Sequence, residues 1–301
     1  MGRVNAEADD AVVDAVIRWY DSARRDLPWR EPGCSPWGVF VSEVMLQQTP
    51  VARVLPVWGA WTQRWPTPSA LAAEVPGEAV AAWGRLGYPR RALRLHAAAT
   101  ACVTRFAGRV PDSYEGLREL PGVGDYTASA VAAFAFGRRQ VVLDTNVRRV
   151  LARFDTGSAF EPSGAPSTAE RRRADELLPT DDRSSVRWNV GLMELGALVC
   201  TARAPRCNAC PLSGECAWFG AGSPPWDGPA RRGQTYAGTD RQVRGLLLAV
   251  LRESEAPVDA PRLDEVWPDT AQRARALDGL VADGLVEPVD RDSFRLPGRG
   301  T

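Results

Sequence analysis

Four of the six cysteines fall between residues 200 and 216, spaced Cys200-x6-Cys207-x2-Cys210-x5-Cys216, while Cys34 and Cys102 stand alone. Whatever fold the chain adopts must seat a compact, thiol-lined loop there. In a reducing compartment, clustered thiols read as metal or cluster ligands before they read as disulfides. Four thiolates at this spacing suit a [4Fe–4S] cluster. Zinc is the alternative, although zinc sites more often show two CxxC halves and this stretch has one.

At 301 residues the chain can hold one large domain or two unequal ones, each with its own core. A hydrophobic fraction of 45% and a charged fraction of 25% belong to a folded globular protein, not to disorder. The first residues are polar and acidic, and no apolar run long enough for a signal or a membrane span occurs, which points to the cytoplasm and away from a membrane. The 37 basic and 37 acidic side chains cancel, so net charge does not advertise a nucleic-acid partner. Phosphate binding depends on the local face rather than on the sum. Every basic residue among the 37 is arginine; GC-rich coding accounts for this, and it removes lysine Schiff-base chemistry.

Residues 11–220 read mostly as helix broken by Pro/Gly punctuation, with helices expected over 10–23, 37–48, 51–65, 77–83, 92–106 and 125–136. Gly87, Gly108 and Gly137 sit where helices can end, and Pro50, Pro66 and Pro111 bar continuation. Asp112-Ser113-Tyr114-Glu115 has capping-box spacing ahead of Leu117. Residues 221–240 have the Gly/Pro/Ser composition of a linker. Beyond it, Val243, Leu246, Leu247, Val250 and Leu251 form a helical stripe, further helices fit 261–267 and 270–283, and 285–289 can pair with 293–296. The expected organisation is a mainly α domain over 1–220, a linker over 221–240, and a small winged-helix-like α+β module over 241–301.

Three segments carry chemistry. In Leu120-Pro121-Gly122-Val123-Gly124, Gly122 and Gly124 permit positive φ and close backbone approach. The helix that follows would offer its free N–H groups to a DNA phosphate without reading sequence. Helix connections use glycine routinely, so an ordinary turn fits this segment as well. Asp144 ends the apolar run Val141-Val142-Leu143 and suits an N-cap for a helix around Val147. A carboxylate there, about 4 Å from a developing sugar cation, would gain roughly 4 kcal/mol at an effective dielectric of about 20. Capping N–H groups would keep it ionised, so both readings of Asp144 hold together. Glu43 and Gln47 are spaced to share a helix face, and Val39, Phe40, Val44, Met45 and Leu46 give Glu43 an apolar setting. That suits a half-buried carboxyl of raised pKa, able to protonate a purine leaving base for roughly a 10²- to 10⁴-fold gain. Paired carboxyls of unequal pKa are the general logic of glycosidic cleavage.

RDLPWR (25–30), SEVMLQQT (42–49), GRLGYPRRA (84–92), LPGVGDYTASA (120–130), VVLDTNVRRVLAR (141–153) and MELGALVCTARAPRCNACPLSGEC (193–216) follow one another in order. Through them residues 20–219 resemble the MutY-type adenine DNA glycosylases of the endonuclease III, or helix-hairpin-helix, superfamily. The resemblance implies a helix-hairpin-helix glycosylase fold with a [4Fe–4S] cluster on Cys200, Cys207, Cys210 and Cys216. It implies a monomer, cytoplasmic and nucleoid-associated, that excises adenine mispaired with 8-oxoguanine or guanine in double-stranded DNA. Glu43 would be the general acid at adenine N7, Asp144 the carboxylate that stabilises or traps the sugar cation, and Tyr126 and Asn146 the residues that position them. Gln48 and Tyr88, with Gln47 and Thr49 beside the former, would enter the duplex next to the orphaned base, since extruding a base costs a few kcal/mol. Leu27, Trp29 and Arg30 would form part of the adenine pocket.

Tyr126 stands where endonuclease III-type lyases carry a Schiff-base lysine, so the resemblance implies a monofunctional glycosylase that leaves an abasic site. A thymine glycosylase acting on G·T mismatches is the nearer alternative, and Gln47-Gln48 favours the adenine enzyme. A non-enzymatic regulator, with a DNA-reading winged helix and a redox-sensing cluster, is the more distant one. Two departures stand out. Val190 occupies a place where a Glu or Gln often meets the adenine edge, and the tail is too short for the MutT-like domain whose Phe-Ser-His element reads 8-oxoguanine.

Overall fold

The computed structural model describes residues 6–226, 228 and 236–300, so residues 227 and 229–235 of the expected linker lie outside the described residues. In chain order the helices are α1 (Ala6–Ala23), α2 (Pro36–Leu46), α3 (Val51–Arg64), α4 (Pro68–Ala72), α5 (Pro76–Trp83), α6 (Arg90–Arg105), α7 (Tyr114–Arg118), α8 (Asp125–Phe136), α9 (Thr145–Leu151), α10 (Thr168–Glu176), α11 (Asp182–Leu198), α12 (Ala217–Gly220), α13 (Asp240–Glu253), α14 (Ala260–Asp264) and α15 (Thr270–Ala282). The strands are β1 (Val258–Asp259), β2 (Glu287–Pro288) and β3 (Ser293–Arg295). The protein is mainly helical. No helix among the described residues is long and apolar enough to cross a membrane.

Local chemistry sets the ends of these elements. Ser35 Oγ accepts the Gly38 N–H at 3.1 Å and Pro36 opens α2, a favourable start for a helix that is apolar apart from Ser42 and Glu43. The helix stops at Leu46 instead of running to residue 48, because Gln48 takes φ 55 and Pro50 disfavours helical backbone just before it. Gln47 is therefore the C-cap and does not share a helical face with Glu43. α11 escapes a periodicity reading because its polar residues Ser185, Asn189 and Glu194 are buried along with its apolar ones.

Contacts group the chain into two compact units. The first comprises Met1–Cys34, Asp112–Tyr114 and Gly124–Ala230. In it α1 and α9 both pack on α11, around Val12, Val16, Val147, Val150, Trp188 and Leu195. Both contacts run over glycine: a Cβ on Gly191 would lie 2.9 Å from Val16 Cγ1, and one on Gly196 would lie 2.6 Å from Asn146 Cβ.

The second unit comprises Ser35–Pro111, Glu115–Val123 and Arg231–Thr301. Its helical core holds Trp61 edge-on to Trp65 and Trp83, with ring centroids 4.7 and 5.7 Å apart. α13 packs on α15, and the strands form an antiparallel sheet in the order β1-β3-β2, with Val258 opposite Phe294 and Glu287 opposite Arg295. This C-terminal part is attached to α5. The Gly77 N–H donates to Pro297 O at 2.8 Å, and Arg252 Nε donates to Val80 O at 3.0 Å. The helices and sheet beyond residue 240 thus share a compact unit with α2–α6, although chain order sets them apart behind a linker.

Candidate active site

Glu43, Gln47, Gln48, Thr49, Tyr88 and Gly122 belong to the second unit. Glu43 lies inside α2 and is 4% exposed, more deeply buried than the half-buried carboxyl its sequence neighbours suggest. Gln48 and Tyr88 are two of the four described non-glycine residues with positive φ, at 55° and 48°. Left-handed backbone costs such residues of order 1 kcal/mol or more and persists only where the surroundings impose it. Arg91, 6% exposed, imposes it here. Its Nη1 donates to the carbonyls of Val44, Met45 and Gln47 at 2.9, 3.0 and 2.5 Å, and its Nη2 to Thr49 Oγ1 at 2.9 Å and Gly87 O at 3.1 Å. Thr49 Oγ1 in turn donates to Leu86 O at 3.2 Å. One guanidinium thus ties the end of α2 to the loop that carries Tyr88. Nothing in the sequence singles Arg91 out among so many arginines.

In the hairpin, Gly122 takes φ 78, and a Cβ there would lie 2.8 Å from the Arg94 side chain, so glycine is required twice over. Gly124, at φ −93, is needed for neither reason; it is the N-cap of α8 and supplies no side-chain cap. The first turn of α8 accordingly opens without a capping side chain, as an anion site at a helix start would.

Leu27, Trp29, Arg30, Tyr126, Asp144, Asn146 and the four clustered cysteines belong to the first unit. Asp144 is the N-cap of α9: Oδ1 accepts the Val147 N–H at 2.7 Å and Oδ2 accepts Asn146 Nδ2 at 2.9 Å. Asn146 Oδ1 accepts Arg149 Nη2 at 2.8 Å, and Arg149 also donates to Gly196 O and Cys200 O. Burial pushes the Asp144 pKa up, against the opposing pull of those hydrogen bonds and of the Arg149 charge. The capping bonds therefore do not by themselves hold Asp144 at or below the ordinary carboxylate value, because desolvation outweighs them. Tyr126, in the first turn of α8, packs against the cluster of Ala130, Ala133 and Val142.

Leu27 and Trp29 are buried at 4% and 6% exposure, the first as N-cap of the short helical turn Pro28–Arg30 and the second inside it. Arg30 Nη2 donates to Glu194 Oε2 at 2.9 Å, and Arg25 grips both Glu194 oxygens at 2.7 and 2.8 Å. Glu194 is completely buried; desolvation alone would raise its pKa, but the hydrogen bonds from Arg25 and Arg30 win and hold it at about 2. Arg30 Nη1 is buried with no hydrogen-bond partner. The one signal of Glu194 in the sequence is an acid set within the apolar stretch LMELGALV. Val190, one turn earlier on α11, is buried and apolar.

The cysteine loop is organised by Arg153, which is 3% exposed. Its Nη1 reaches Cys200 Sγ at 3.3 Å, and its backbone carbonyl accepts from Cys216 Sγ at 3.5 Å. Cys207 opens a 3₁₀ turn that Cys210 closes, and Cys216 caps α12. All four are free thiols, and Cys210 lies within electrostatic reach of Cys200, Cys216 and Cys207. Among the described residues no group of three or more His, Cys, Asp or Glu is arranged to hold a metal ion.

Residues 41–172 match the HhH-GPD superfamily of base excision DNA repair proteins. The chain is 56% identical over 287 residues to the adenine DNA glycosylase of Mycobacterium tuberculosis, covering 95% of this chain and 93% of that protein. It is 40% identical over 210 residues to the human adenine DNA glycosylase, covering 67% of this chain and 38% of that protein. Among solved structures, a thermostable thymine-DNA glycosylase aligns with a TM-score of 0.64 at 27% identity, over 71% of this chain and 97% of that one.

Proposed function

The chain belongs to the adenine DNA glycosylases of the HhH-GPD superfamily, and on that premise we propose that it hydrolyses the N-glycosidic bond of adenine mispaired with 8-oxoguanine or guanine in double-stranded DNA. The arrangement at Asp144 carries the reading: a largely desolvated carboxylate with one oxygen on the backbone and the other on the Asn146 amide. Such a group is fixed in place and, once ionised, stabilises positive charge at a neighbouring sugar carbon.

On this reading Glu43 gives its proton to adenine N7 as the bond to C1′ breaks, and the bonding electrons leave with the base. Asp144 stabilises the oxocarbenium ion until water adds at C1′, and the proton lost by that water restores Glu43. The products are adenine and an abasic site. With Tyr126 at the start of α8 and no lysine in the sequence, no lysine Schiff base forms and on this reading the strand is left uncut. The unpaired Nη1 of Arg30 supplies a donor for the purine edge, a compensation for the apolar Val190. Gln48 and Tyr88 act as the wedge that fills the space of the extruded nucleotide, and the backbone around Gly122 and Gly124 holds a phosphate.

Cys200, Cys207, Cys210 and Cys216 would hold a [4Fe–4S] cluster: they are four free thiols of the donor type such a cluster takes, and Cys210 lies within electrostatic reach of the other three, although as they stand they are not gathered into a metal-holding arrangement. Ligation through these four cysteines would tie residues 200–216 together, a structural contribution, because base hydrolysis transfers no electrons. Iron–sulfur absorption in the visible, with about four irons per chain after anaerobic purification, is the expected outcome, and zinc in place of iron would contradict it. The proposal includes the division into residues 1–220, 221–240 and 241–301 with a winged-helix-like last part, and a cytoplasmic, nucleoid-associated monomer.

A glycosylase assay on duplexes containing A·8-oxoguanine, A·G, A·C and T·G tests the substrate class. Release of adenine from the first two is expected. A thymine glycosylase is the second reading, favoured by the likeness to a solved thymine-DNA glycosylase, and release of thymine from T·G without adenine release would establish it.

A further inference from the structure

We propose that the C-terminal module is part of the apparatus that presents Tyr88 to DNA, with Arg241 as a positioning residue that holds the Tyr88 ring. The proposal rests on the reading of Tyr88 as a wedge. The guanidinium carbon of Arg241, in the first turn of α13, lies 4.7 Å from the Tyr88 ring centroid. That of Arg91 lies 5.5 Å from the same centroid. Tyr88 has left-handed backbone and a ring in a residue 39% exposed, so the restraint on the ring must come from neighbours such as these.

The position of Arg241 is itself fixed. The module is seated on α5 by the backbone bond from Gly77 to Pro297, where a Cβ on Gly77 would come within 2.6 Å of the Pro297 oxygen. Arg299 pairs with Glu78, and Arg252 with the Val80 carbonyl, at the same seat. On the other side, Asp283 at the end of α15 pairs with Arg90 at 3.2 Å and with Arg244 of α13. Arg90 follows Tyr88 by two residues, so one ion-pair relay joins the segment carrying the ring to the helix carrying Arg241. The module therefore contributes to mispair recognition through the wedge.

The test uses the full chain in an Asp144→Asn background, so that substrate is bound and not consumed. Equilibrium binding is compared on a duplex with one A·8-oxoguanine pair and on its matched counterpart. Arg241→Ala is expected to lower the mismatched-to-matched affinity ratio about 2- to 5-fold, the range for an exposed cation–π contact, and Arg241→Lys to restore most of it. Arg262→Ala, an exposed change on α14, is expected to leave the ratio unchanged. In a Tyr88→Ala background, Arg241→Ala should add nothing further. Equal losses on both duplexes, additive with Tyr88→Ala, would make Arg241 a plain phosphate contact and overturn the proposal. An unchanged ratio for Arg241→Ala where Tyr88→Ala lowers it would overturn the proposal and leave the wedge standing. An unchanged ratio for Tyr88→Ala itself would remove the wedge and the proposal with it.

Discussion

Asp144 caps α9 with one carboxylate oxygen and takes the Asn146 amide on the other, yet burial still raises its pKa above the ordinary carboxylate value. An acid with a raised pKa is protonated over a wider acidic range, and the proposed chemistry needs it ionised. Activity should therefore fall on the acid side at a pH above the usual Asp range. Asn146→Ala removes a donor that favours the ionised form, and should move that acid limb of kcat further upward. A limb that stays in place would show that Asn146 does not tune Asp144. The cap was legible in the sequence; the direction of titration was not, because it depends on how much protein packs around the carboxyl. Glu194 shows the opposite sign. Its pKa of about 2 lies below the ordinary glutamate value, so it contributes stability that is present at neutral pH and lost as pH falls from about 5 towards 2. Glu194→Gln should cost about 3 kcal/mol in urea unfolding at pH 7, with the difference from the unsubstituted protein shrinking below about pH 4. A pH-independent difference would refute the assignment.

Among the elements, α8 follows its sequence pattern residue for residue, from Asp125 to the left-handed Gly137. Apolar periodicity and a glycine stop sufficed there. α2 falls short of its expected end because Gln48 turns left-handed under the hold of Arg91, a tertiary cause that no local pattern carries. The bounds of α11 are not legible within the mostly helical stretch, because buried charge and buried amide erase its amphipathic contrast. That helix also sets the start of α9: Gly196 lets the Asn146 backbone approach to where a Cβ would lie 2.9 Å from its carbonyl oxygen. Gly196→Ala should destabilise the fold by about 1–3 kcal/mol and lower kcat more than it raises KM, since it displaces Asn146 and Asp144. A fully active, equally stable Gly196→Ala protein would show that this contact yields. Gly122→Ala combines positive φ with a clash against Arg94, and should weaken binding to matched and mismatched duplex alike.

For the whole molecule, the net charge of zero concealed the proposed partner, while the ordered motifs from residue 25 to residue 216 revealed the family. The cysteine spacing announced a loop, and the structure adds the buried Arg153 that organises it. The attachment of the C-terminal helices to α5 was not legible, because the Gly77–Pro297 bond joins backbone groups far apart in the chain. The central claim is that Glu43 and Asp144 together split the bond between adenine and its sugar, and single-turnover adenine release tests it most directly. On a duplex with one A·8-oxoguanine pair, the unsubstituted chain should release adenine and leave an abasic strand that breaks only on alkali treatment. Glu43→Gln and Asp144→Asn should each be at least about 10²-fold slower while still binding the duplex. Either variant releasing adenine at the unsubstituted rate would contradict the account.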